Sequence, residues 1–323
     1  MNDDRTASRP DISVVTTMYR SEPYIEEFYS RVVKTIRKLG IKSYEIVFVD
    51  DGSPDRSRDL ALQLYAGDPS VVVVDLSRNF GHHKAIMTGL SYTHGRRIFL
   101  LDCDLEEDPE LLEQLVTEMD RRGCDVVFCV QQERRGNWFD RVTGELYYRI
   151  MNAVSGIEFP RNVFTLRLMT RRYVDSLLLH RERELLISGI WHLTGYEQVA
   201  IPAVKHSRSP TSYPIHKRFA LMVMSVISYS DRPLRWIFYT GVGILIFAAF
   251  YIAYLAVIYL LYGIRVSGYL SIIVSLWLIG GLNFLFLGTI GIYVATIFSE
   301  TKQRPNTIVR AIYRRENEHR APA

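Results

Sequence analysis

Two long uncharged stretches, residues 236–264 and 266–299, dominate the C-terminal part of the sequence. A helix needs about 20 predominantly apolar residues to cross the hydrocarbon core of a membrane, and each stretch exceeds that length. Tyrosine and tryptophan cluster toward their ends, where interfacial anchors are found. We therefore predict two transmembrane helices in this region, so the rest of the chain must fold beside a bilayer.

Basic residues gather on both flanks of these stretches, whereas the segment between them offers only Arg265. Because cytoplasmic loops carry an excess of Lys and Arg, we expect both ends of the hairpin, and both chain termini, to face the cytoplasm. Nucleic acid would also suit a basic cluster, but the position beside the apolar stretches favours anionic lipid headgroups, and no nucleic-acid partner is predicted. The flanking residues are Lys217, Arg218, Arg232, Arg235, Lys302, Arg304, Arg310, Arg314 and Arg315.

The N-terminal part of the sequence predicts a domain that does not cross the membrane. Acidic residues precede the first apolar run, which is only as long as a strand, so the pattern of a signal peptide is missing. The cysteines are odd in number and lack the spacing of metal ligands, so we expect reduced thiols rather than a disulfide or a zinc site. They are Cys103, Cys124 and Cys129.

Short β-branched runs alternate with amphipathic segments in the first half, which predicts an α/β fold with a mostly parallel, Rossmann-like sheet. We expect one soluble domain over residues 1–215. The predicted strands are Ile12–Met18, Glu45–Val49, Val71–Leu76, Arg97–Leu101, Asp125–Val130 and a strand near Gln198–Val204. The predicted helices are Glu22–Leu39, Pro54–Tyr65, His83–Thr93, Pro109–Arg122, Trp138–Val154, Arg171–His180 and Glu182–Thr194.

Three regions follow this domain. Residues 216–235 have an apolar face at helical spacing behind Lys217 and Arg218, which suits an amphipathic helix in the membrane interface, although a helix packed on the soluble core would show the same pattern. Residues 236–299 form the predicted transmembrane hairpin. Residues 300–323 form a cytoplasmic tail that contains a short predicted strand within 305–313.

Two carboxylates end the second predicted strand, where Asp50 and Asp51 precede Gly52 and Ser53. Open α/β sheets bind ligands at the carboxyl ends of their strands. Carboxylates there suit ribose hydroxyls or the edge of a base better than phosphate, because like charges repel. A simple turn, with Ser53 capping the next helix, explains the same residues.

A second carboxylate pair, Asp102 and Asp104, follows the apolar run 97–101 and points to one side if that strand continues. Two hard oxygen ligands without a nearby imidazole or thiolate favour Mg²⁺ or Mn²⁺ bridging a diphosphate. Such an ion would neutralise a diphosphate as its bond to a sugar breaks. The alternative is a solvated acidic loop that continues through Glu106, Glu107 and Asp108.

A polar run at residues 77–85 occupies another junction between a strand and a helix, so its side chains should face the same cleft. Arg78 or Lys84 could hold phosphate, and Asn79 could contact sugar or nucleotide. The two histidines of the run are adjacent in sequence, and this spacing argues against a metal role.

In this order the motifs resemble a known family. The chain carries Asp-Asp-Gly-Ser, Ser-Arg-Asn-Phe-Gly, Asp-x-Asp-Leu-x-x-x-Pro-Glu, Arg-Leu-Met-x-Arg and Arg-Pro-Leu-Arg before the hairpin, and in this it resembles the glycosyltransferase family 2 polyprenyl-phosphate glycosyltransferases. The resemblance covers nearly the whole chain. It implies a GT-A catalytic domain, a sugar-nucleotide donor, a polyprenyl phosphate acceptor, inversion at the anomeric carbon and a homo-oligomer, which is a tetramer in the family.

The resemblance also implies roles for individual residues. Thr17, Tyr19 and Glu22 would border the nucleobase, and Asp50 and Asp51 the nucleoside. Carried over in the same way, Asp102 and Asp104 would hold the metal, and Asp104 would take part in catalysis. Arg134 and Arg135 match a basic position that faces the acceptor phosphate, although ordinary surface charge explains them too. The residues that match a loop closing over the diphosphate are Arg208, Ser212 and Tyr213.

Two positions depart from the family pattern. The segment 17–21 lacks the usual Pro-Val-Tyr-Asn-Glu, and Thr165 stands where many members have an aspartate that is a candidate base. A phosphate monoester has a second pKa near ~6 and is already nucleophilic at neutral pH, so a base is not required. Glu182 and Glu184 are the fallback bases. Positive charge to hold two anions together is expected from Arg134, Arg135 and Arg208.

The predicted function is the transfer of one sugar from a UDP- or dTDP-sugar to undecaprenyl phosphate at a bacterial inner membrane, for later modification of surface glycans such as O-antigen. One alternative is a processive polysaccharide synthase, because residues 232–236 imitate its Gln-x-x-Arg-Trp motif. The motif lacks its glutamine, and two spans are too few for a polymer channel. The other alternative is a non-catalytic membrane adaptor, against which the intact Asp102 and Asp104 argue.

Overall fold

The computed structural model describes residues 9–131, 163–182, 187–204, 206, 232–262 and 268–315. The chain divides into two compact units, and the C-terminal tail belongs to the first of them although it follows the second in sequence. The first unit comprises Met1–Thr143, Phe159–Ser212 and Arg304–Ala323, and the second comprises Gly144–Glu158 and Tyr213–Gln303.

The first unit is built on an eight-stranded mixed sheet with the order β7-β5-β6-β4-β1-β2-β3-β8. Strands β4, β1, β2 and β3 run parallel to one another, whereas β6 is antiparallel to both β4 and β5, and β8 is antiparallel to β3. The strands are β1 Ile12–Met18, β2 Tyr44–Asp50, β3 Val71–Leu76, β4 Arg97–Leu100, β5 Val126–Gln131, β6 Val163–Thr170, β7 Gln198–Ala203 and β8 Val309–Tyr313.

Helices cover both faces of this sheet, and alternate residues of a strand therefore enter different cores. On β3, Val71 and Val73 belong to one buried cluster, whereas Val72 and Val74 belong to the other. Burial on both faces explains why this strand is a continuous run of valines rather than an alternating one. The helices of this unit are α1 Ile25–Lys38, α2 Ser57–Gly67, α3 His82–Ser91, α4 Leu112–Arg122, α5 Arg171–Leu177 and α6 Ile187–Leu193, with a 3-10 turn at Pro109–Leu111.

Most predicted elements of this unit are present, with ends that differ by a few residues, but two expectations were wrong. No strand was predicted between Val130 and Gln198, but β6 lies there in sequence and inserts between β4 and β5, while the predicted helix Trp138–Val154 lies outside the described residues. Helix α2 begins at Ser57 rather than near Ser53, and the Ser53 hydroxyl donates instead to the carbonyl of Met18 at 3.3 Å. The three cysteines are buried and unpaired, as expected of reduced thiols.

The C-terminal tail contains the predicted strand, and that strand completes the sheet. One further hydrogen bond lies just beyond the paired strands, where the Ser77 amide donates to the carbonyl of Ile308 at 2.9 Å. Arg310 Nη1 of β8 lies 3.4 Å from a carboxylate oxygen of Asp75, whose side chain is buried in β3. Arg314 Nη2 lies at the same distance from the buried Glu45 of β2. The tail is thus held by both backbone pairing and charge.

The second unit contains two long helices, α7 Arg232–Tyr262 and α8 Tyr269–Thr301. Both are long and apolar enough to cross a membrane, over Leu234–Tyr251 and Leu278–Thr301. None of the described residues of these segments is buried within the protein, which separates them from the core helices of a soluble domain. The predicted amphipathic helix in 216–235 lies largely outside the described residues.

Candidate active site

The candidate site is a cavity of about 280 Å³ at the carboxyl ends of β1, β2, β3 and β4. Because these four strands are parallel and adjacent, the loops that follow them meet at one edge of the sheet. The cavity is lined by Thr17, Met18, Tyr19, Ser21, Asp51, Asn79, Gly81, His82, Asp102, Cys103 and Asp104.

Asp51 organises the loop after β3. Its carboxylate accepts the backbone N–H groups of Phe80 at 2.7 Å and Gly81 at 3.0 Å. Burial raises the pKa of Asp51, and these two hydrogen bonds oppose the rise. The carboxylate therefore fixes the polar run that carries Asn79 against the end of β2.

Gly52 allows the loops after β2 and β3 to approach each other. Its φ is +67°, a left-handed conformation that glycine adopts without strain, and an added Cβ would lie 2.6 Å from both the carbonyl carbon of Arg78 and the amide nitrogen of Asn79. The glycine of the Asp-Asp-Gly-Ser motif is therefore required by close backbone contact.

Asp102 and Asp104 reach the cavity from a turn rather than from a continued strand. Strand β4 ends at Leu100, and the Asp104 carboxylate accepts the amide of Glu106 at 3.0 Å. Leu105 has φ of +57° and its side chain is 1% exposed. A buried leucine thus anchors a turn that presents both carboxylates to the cavity.

The acidic run after this turn is not a solvated loop. Glu107 is fully buried, and its carboxylate accepts the amides of Thr165 at 3.2 Å and Leu166 at 2.9 Å. These amides belong to β6 beside an irregularity in its pairing with β5. Glu107 therefore ties the carboxylate loop to β6, and the structure supports an ordered site over the solvated alternative.

The next acidic residue of the run is also held in place. Asp108 accepts from Arg31 Nη2 at 2.7 Å, and its other carboxylate oxygen lies 3.1 Å from His206 Nε2. The C-terminal end of the acidic run is therefore held through both Glu107 and Asp108.

His82 lines the cavity, as expected of the polar run 77–85, but its contacts with Asp102 and Thr17 were not predicted. Its Nε2 lies 3.4 Å from Asp102 Oδ1, and its Nδ1 lies 3.1 Å from Thr17 Oγ1. The imidazole bridges the ends of β1 and β4 while its side chain remains 45% exposed. Its position as the first residue of α3, directly after the loop at the end of β3, was the available signal.

Six of the predicted site residues come together in this cavity: Thr17, Tyr19, Asp51, Asn79, Asp102 and Asp104. Four others lie elsewhere. Asp50 lines a neighbouring cavity with Arg58, Arg78 and Arg310. Glu22 accepts the amide of Arg56 at 3.2 Å.

The remaining two are Lys84, which lines a separate cavity beyond α3, and Glu182, whose carbonyl accepts from Asn306 Nδ2 at 3.2 Å. Six predicted residues fall outside the described part of the chain, namely Arg134, Arg135, Glu184, Arg208, Ser212 and Tyr213. The roles assigned to all these residues stay predictions.

The donor set suits a hard divalent cation held jointly with a ligand. Within the described residues, no group of three or more His, Cys, Asp or Glu side chains is arranged to hold an ion alone. Mg²⁺ is commonly bound through one or two carboxylates while substrate phosphates and water supply the other ligands. Asp102 and Asp104, both lining one cavity, fit this second kind of site.

The sequence profile of glycosyl transferase family 2 matches residues 13–178, which include every strand end that lines the cavity. The chain belongs to glycosyl transferase family 2. This membership confirms the predicted family resemblance and the GT-A catalytic domain, and it identifies the protein as a glycosyltransferase.

Relatives that match nearly the whole chain support the same assignment. A protein of Mycobacterium tuberculosis described as "putative glycosyltransferases" is 43% identical over 97% of this chain and 91% of its own length. The prophage bactoprenol glucosyl transferase homolog of Escherichia coli K12 is 32% identical over 93% of this chain and 99% of its own.

Among solved structures, the mannosyltransferase PcManGT from Pyrobaculum calidifontis, in complex with GDP-Man and Mn²⁺, has a TM-score of 0.48. Its sequence is 16% identical over 92% of this chain and 88% of that chain.

Proposed function

We propose that this family 2 enzyme transfers a single sugar from a UDP- or dTDP-sugar to a polyprenyl phosphate, with inversion at the anomeric carbon. The observation that carries the proposal is the convergence of Asp51, Asp102 and Asp104 in one cavity, in a chain that also has two helices of membrane-spanning length. The similarity to bactoprenol glucosyl transferases over nearly the whole chain supports a polyprenyl acceptor.

The donor would bind along the loops that follow β1, β2 and β3. Tyr19 is 46% exposed beside the cavity and offers an aromatic face for a nucleobase. Asn79 supplies an amide for sugar or nucleotide, and Asp51 fixes the loop that carries it. These residues orient the nucleotide so that its diphosphate extends toward the ends of β1 and β4.

The diphosphate would lie next to Asp102 and Asp104. These carboxylates would hold Mg²⁺ or Mn²⁺, and the bound ion would supply positive charge to the departing nucleoside diphosphate. His82 would keep Asp102 oriented through its Nε2, while its Nδ1 is occupied by Thr17.

The acceptor is a phosphate monoester, and its chemistry removes the need for a base. With a second pKa near ~6 it is mostly a dianion at neutral pH. One of its oxygens attacks the anomeric carbon from the face opposite the diphosphate, the new C–O bond forms, and the bond to the diphosphate breaks with its electrons. The absence of the family aspartate at Thr165 is compatible with this step. Positive charge near the acceptor remains a prediction for Arg134, Arg135 and Arg208.

The location follows from the same proposal. Both helices would cross the bacterial inner membrane, with the catalytic domain and both termini in the cytoplasm, where nucleotide sugars are available. The juxtamembrane segment in 216–235 would hold the acceptor headgroup near the cavity. A homo-oligomer, expected from the family resemblance, also remains a prediction.

The test is to incubate the purified full-length enzyme with polyprenyl phosphate, Mn²⁺ and a panel of sugar nucleotides. A lipid-linked monosaccharide is expected with one donor, and the variant with Asp102→Asn and Asp104→Asn should form none. Asp120→Asn is the matched control, because this carboxylate is exposed on α4 and pairs with Arg97. If no donor gives product, or if the double variant retains full activity, the proposal is wrong.

A further inference from the structure

A second cavity, of about 440 Å³, lies on the catalytic unit beyond α3. Three separate parts of the chain build it: α3 with the residue after it, residues 178–181 that follow α5, and the segment 306–309 that precedes and begins β8. Its lining residues are Lys84, Met87, Thr88, Ser91, Tyr92, Leu178, His180, Arg181, Asn306, Thr307 and Val309. The cavity that holds Asp102 and Asp104 shares none of them.

Basic side chains dominate the charge of this second cavity. Lys84, His180 and Arg181 line it, and none of its described lining residues is acidic. Glu182 is the carboxylate beside it, with Oε1 at 3.8 Å from His180 Nδ1. Across the part of the chain that the structure describes, Lys84 and Arg181 have no carboxylate within ion-pair distance. With respect to the described residues, these two cationic groups therefore keep hydrogen-bond donors available to a ligand.

The wall contributed by the C-terminal segment is held in place by hydrogen bonds. Thr88 Oγ1 donates to the carbonyl of Lys84 at 2.9 Å, so in its 2.7 Å contact with Thr307 it accepts. Asn306 Nδ2 donates to the carbonyl of Glu182 at 3.2 Å. The hydroxyl and amide groups of the wall thus bond to the protein itself, which leaves the ammonium and guanidinium groups to bind an anion.

We propose that Lys84 and Arg181, with His180 beside them, form a phosphate-binding site separate from the site of sugar transfer. A phosphate group matches these donors because it carries several acceptor oxygens, and charge-assisted bonds from Lys and Arg to phosphate are among the stronger hydrogen bonds in proteins. The site does not depend on the proposed transfer reaction, since the second cavity shares no residue with the first.

The headgroup of an anionic phospholipid is the ligand source that the chain connectivity favours. Asn306 and Thr307 follow Thr301, the last residue of α8, by only five and six positions. The lipid source rests on the proposal that α8 spans a membrane, because clustered Lys and Arg recognise the headgroups of anionic lipids. Soluble phosphate offers the same chemistry and is the other source.

The experiment measures phosphatidylglycerol binding to the full-length protein in an uncharged detergent, by native mass spectrometry over a lipid titration. Arg181→Gln should weaken the tightest binding event about tenfold, because one charge-assisted hydrogen bond is lost. Lys84→Gln combined with Arg181→Gln should weaken it further, and Arg181→Lys should restore most of it. Arg121→Gln, an exposed arginine on α4 that pairs with Glu118, is the matched control and should bind lipid like the wild type.

A parallel arm measures the shift in unfolding temperature with inorganic phosphate, since a ligand of the native state raises that temperature. Weaker phosphatidylglycerol binding that is confined to the Lys84 and Arg181 variants supports both the site and the lipid source. Loss of phosphate stabilisation alone in those variants supports the site with a soluble source. Equal binding of both probes by the wild type and the double variant overturns the proposal, whatever the outcome of the sugar-transfer assay.

Discussion

His82 Nε2 lies 3.4 Å from Asp102 Oδ1, so the first residue of α3 contacts the first carboxylate after β4. The other ring nitrogen is 3.1 Å from the Thr17 hydroxyl at the end of β1. The imidazole thus lies between Thr17 and Asp102, and we expect it to orient the Asp102 carboxylate as outer-shell partners do at metal sites.

The first prediction concerns this bridge. His82→Ala should lower sugar transfer by about 10-fold to 100-fold, the usual cost of removing such a partner. It should also raise the Mn²⁺ concentration needed for half-maximal activity, which a purely structural defect would leave unchanged. His83→Ala is the control, because His83 does not line the cavity. Equal Mn²⁺ dependence in the wild type and His82→Ala would contradict the positioning role.

The second prediction concerns Gly52. An alanine there would combine a left-handed φ of +67° with a Cβ at 2.6 Å from two backbone atoms. The left-handed conformation alone costs an L-residue about 1–2 kcal/mol, and displacement of the loop that carries Asn79 should also raise the KM for the donor. Thermal unfolding and donor titration measure the two effects.

Gly67→Ala is the matched control for Gly52→Ala. Gly67 is the last residue of α2, and a Cβ there meets nothing within 4 Å. This variant should be as stable as the wild type or slightly more so, because alanine favours a helix over glycine. A Gly52→Ala protein as stable and active as Gly67→Ala would show that the two loops can separate freely.

The third prediction concerns Glu107. Glu107→Ala leaves the amides of Thr165 and Leu166 without the carboxylate that now accepts from both, and an unpaired buried group costs about 1–3 kcal/mol. We expect a lower unfolding temperature together with reduced activity, since the loop with Asp102 and Asp104 loses its attachment to β6. Glu113→Ala removes an exposed carboxylate that pairs with Lys38 and should cost less than about 1 kcal/mol. Similar losses of stability and activity in both variants would show that Glu107 does not hold the carboxylate loop against β6.

The fourth prediction is a pH dependence of stability that comes from Glu45. Burial alone would raise the pKa of Glu45, but hydrogen bonds from His94 and Ser13 and the charge of Arg314 outweigh it and lower the pKa below 4.5. The folded state therefore gains stability above the unfolded value, and this gain is lost as the pH falls from about 4.5 through the lower folded value. Glu45→Gln should lack that gain.

Unfolding temperatures of the wild type and Glu45→Gln over a pH series measure the effect. The wild type should have the higher unfolding temperature at neutral pH. This difference should shrink below about pH 4.5, where the carboxyl group of the unfolded chain becomes protonated. A difference in unfolding temperature that stays constant across the pH series would show that Glu45 stabilises the fold through packing rather than charge.

The sheet and the main strand ends could be predicted because their signals are local. Valine runs such as Val71–Leu76 leave few alternatives to a buried strand, and Asp51, Asp102 and Asp104 each follow such a strand directly. Parallel pairing then brings the carboxylates to one edge. Strand β6 was missed because it pairs antiparallel between β4 and β5, an arrangement that depends on residues distant in sequence.

The finer features of the site depend on tertiary contacts that no local pattern reveals. Leu105 adopts a positive φ and Glu107 is fully buried, although leucine is not a turn former and a glutamate in an acidic run normally faces water. The contact between His82 and Asp102 joins residues from different loops. Lys84, two residues after His82, turns to another cavity because successive residues of a helix point in different directions.

Strand β8 has a consequence for how the enzyme is made. It pairs with β3 across more than two hundred residues of chain, and it is synthesised after both apolar helices. The ribosome releases the last strand only after those helices have emerged. The pairing of β8 with β3 is therefore the last step in forming the catalytic sheet. A water-soluble fragment that stops before the helices would leave β3 bare at its edge and Asp75 without Arg310. To fold with a complete sheet, such a fragment needs residues 304–315 reattached through a linker.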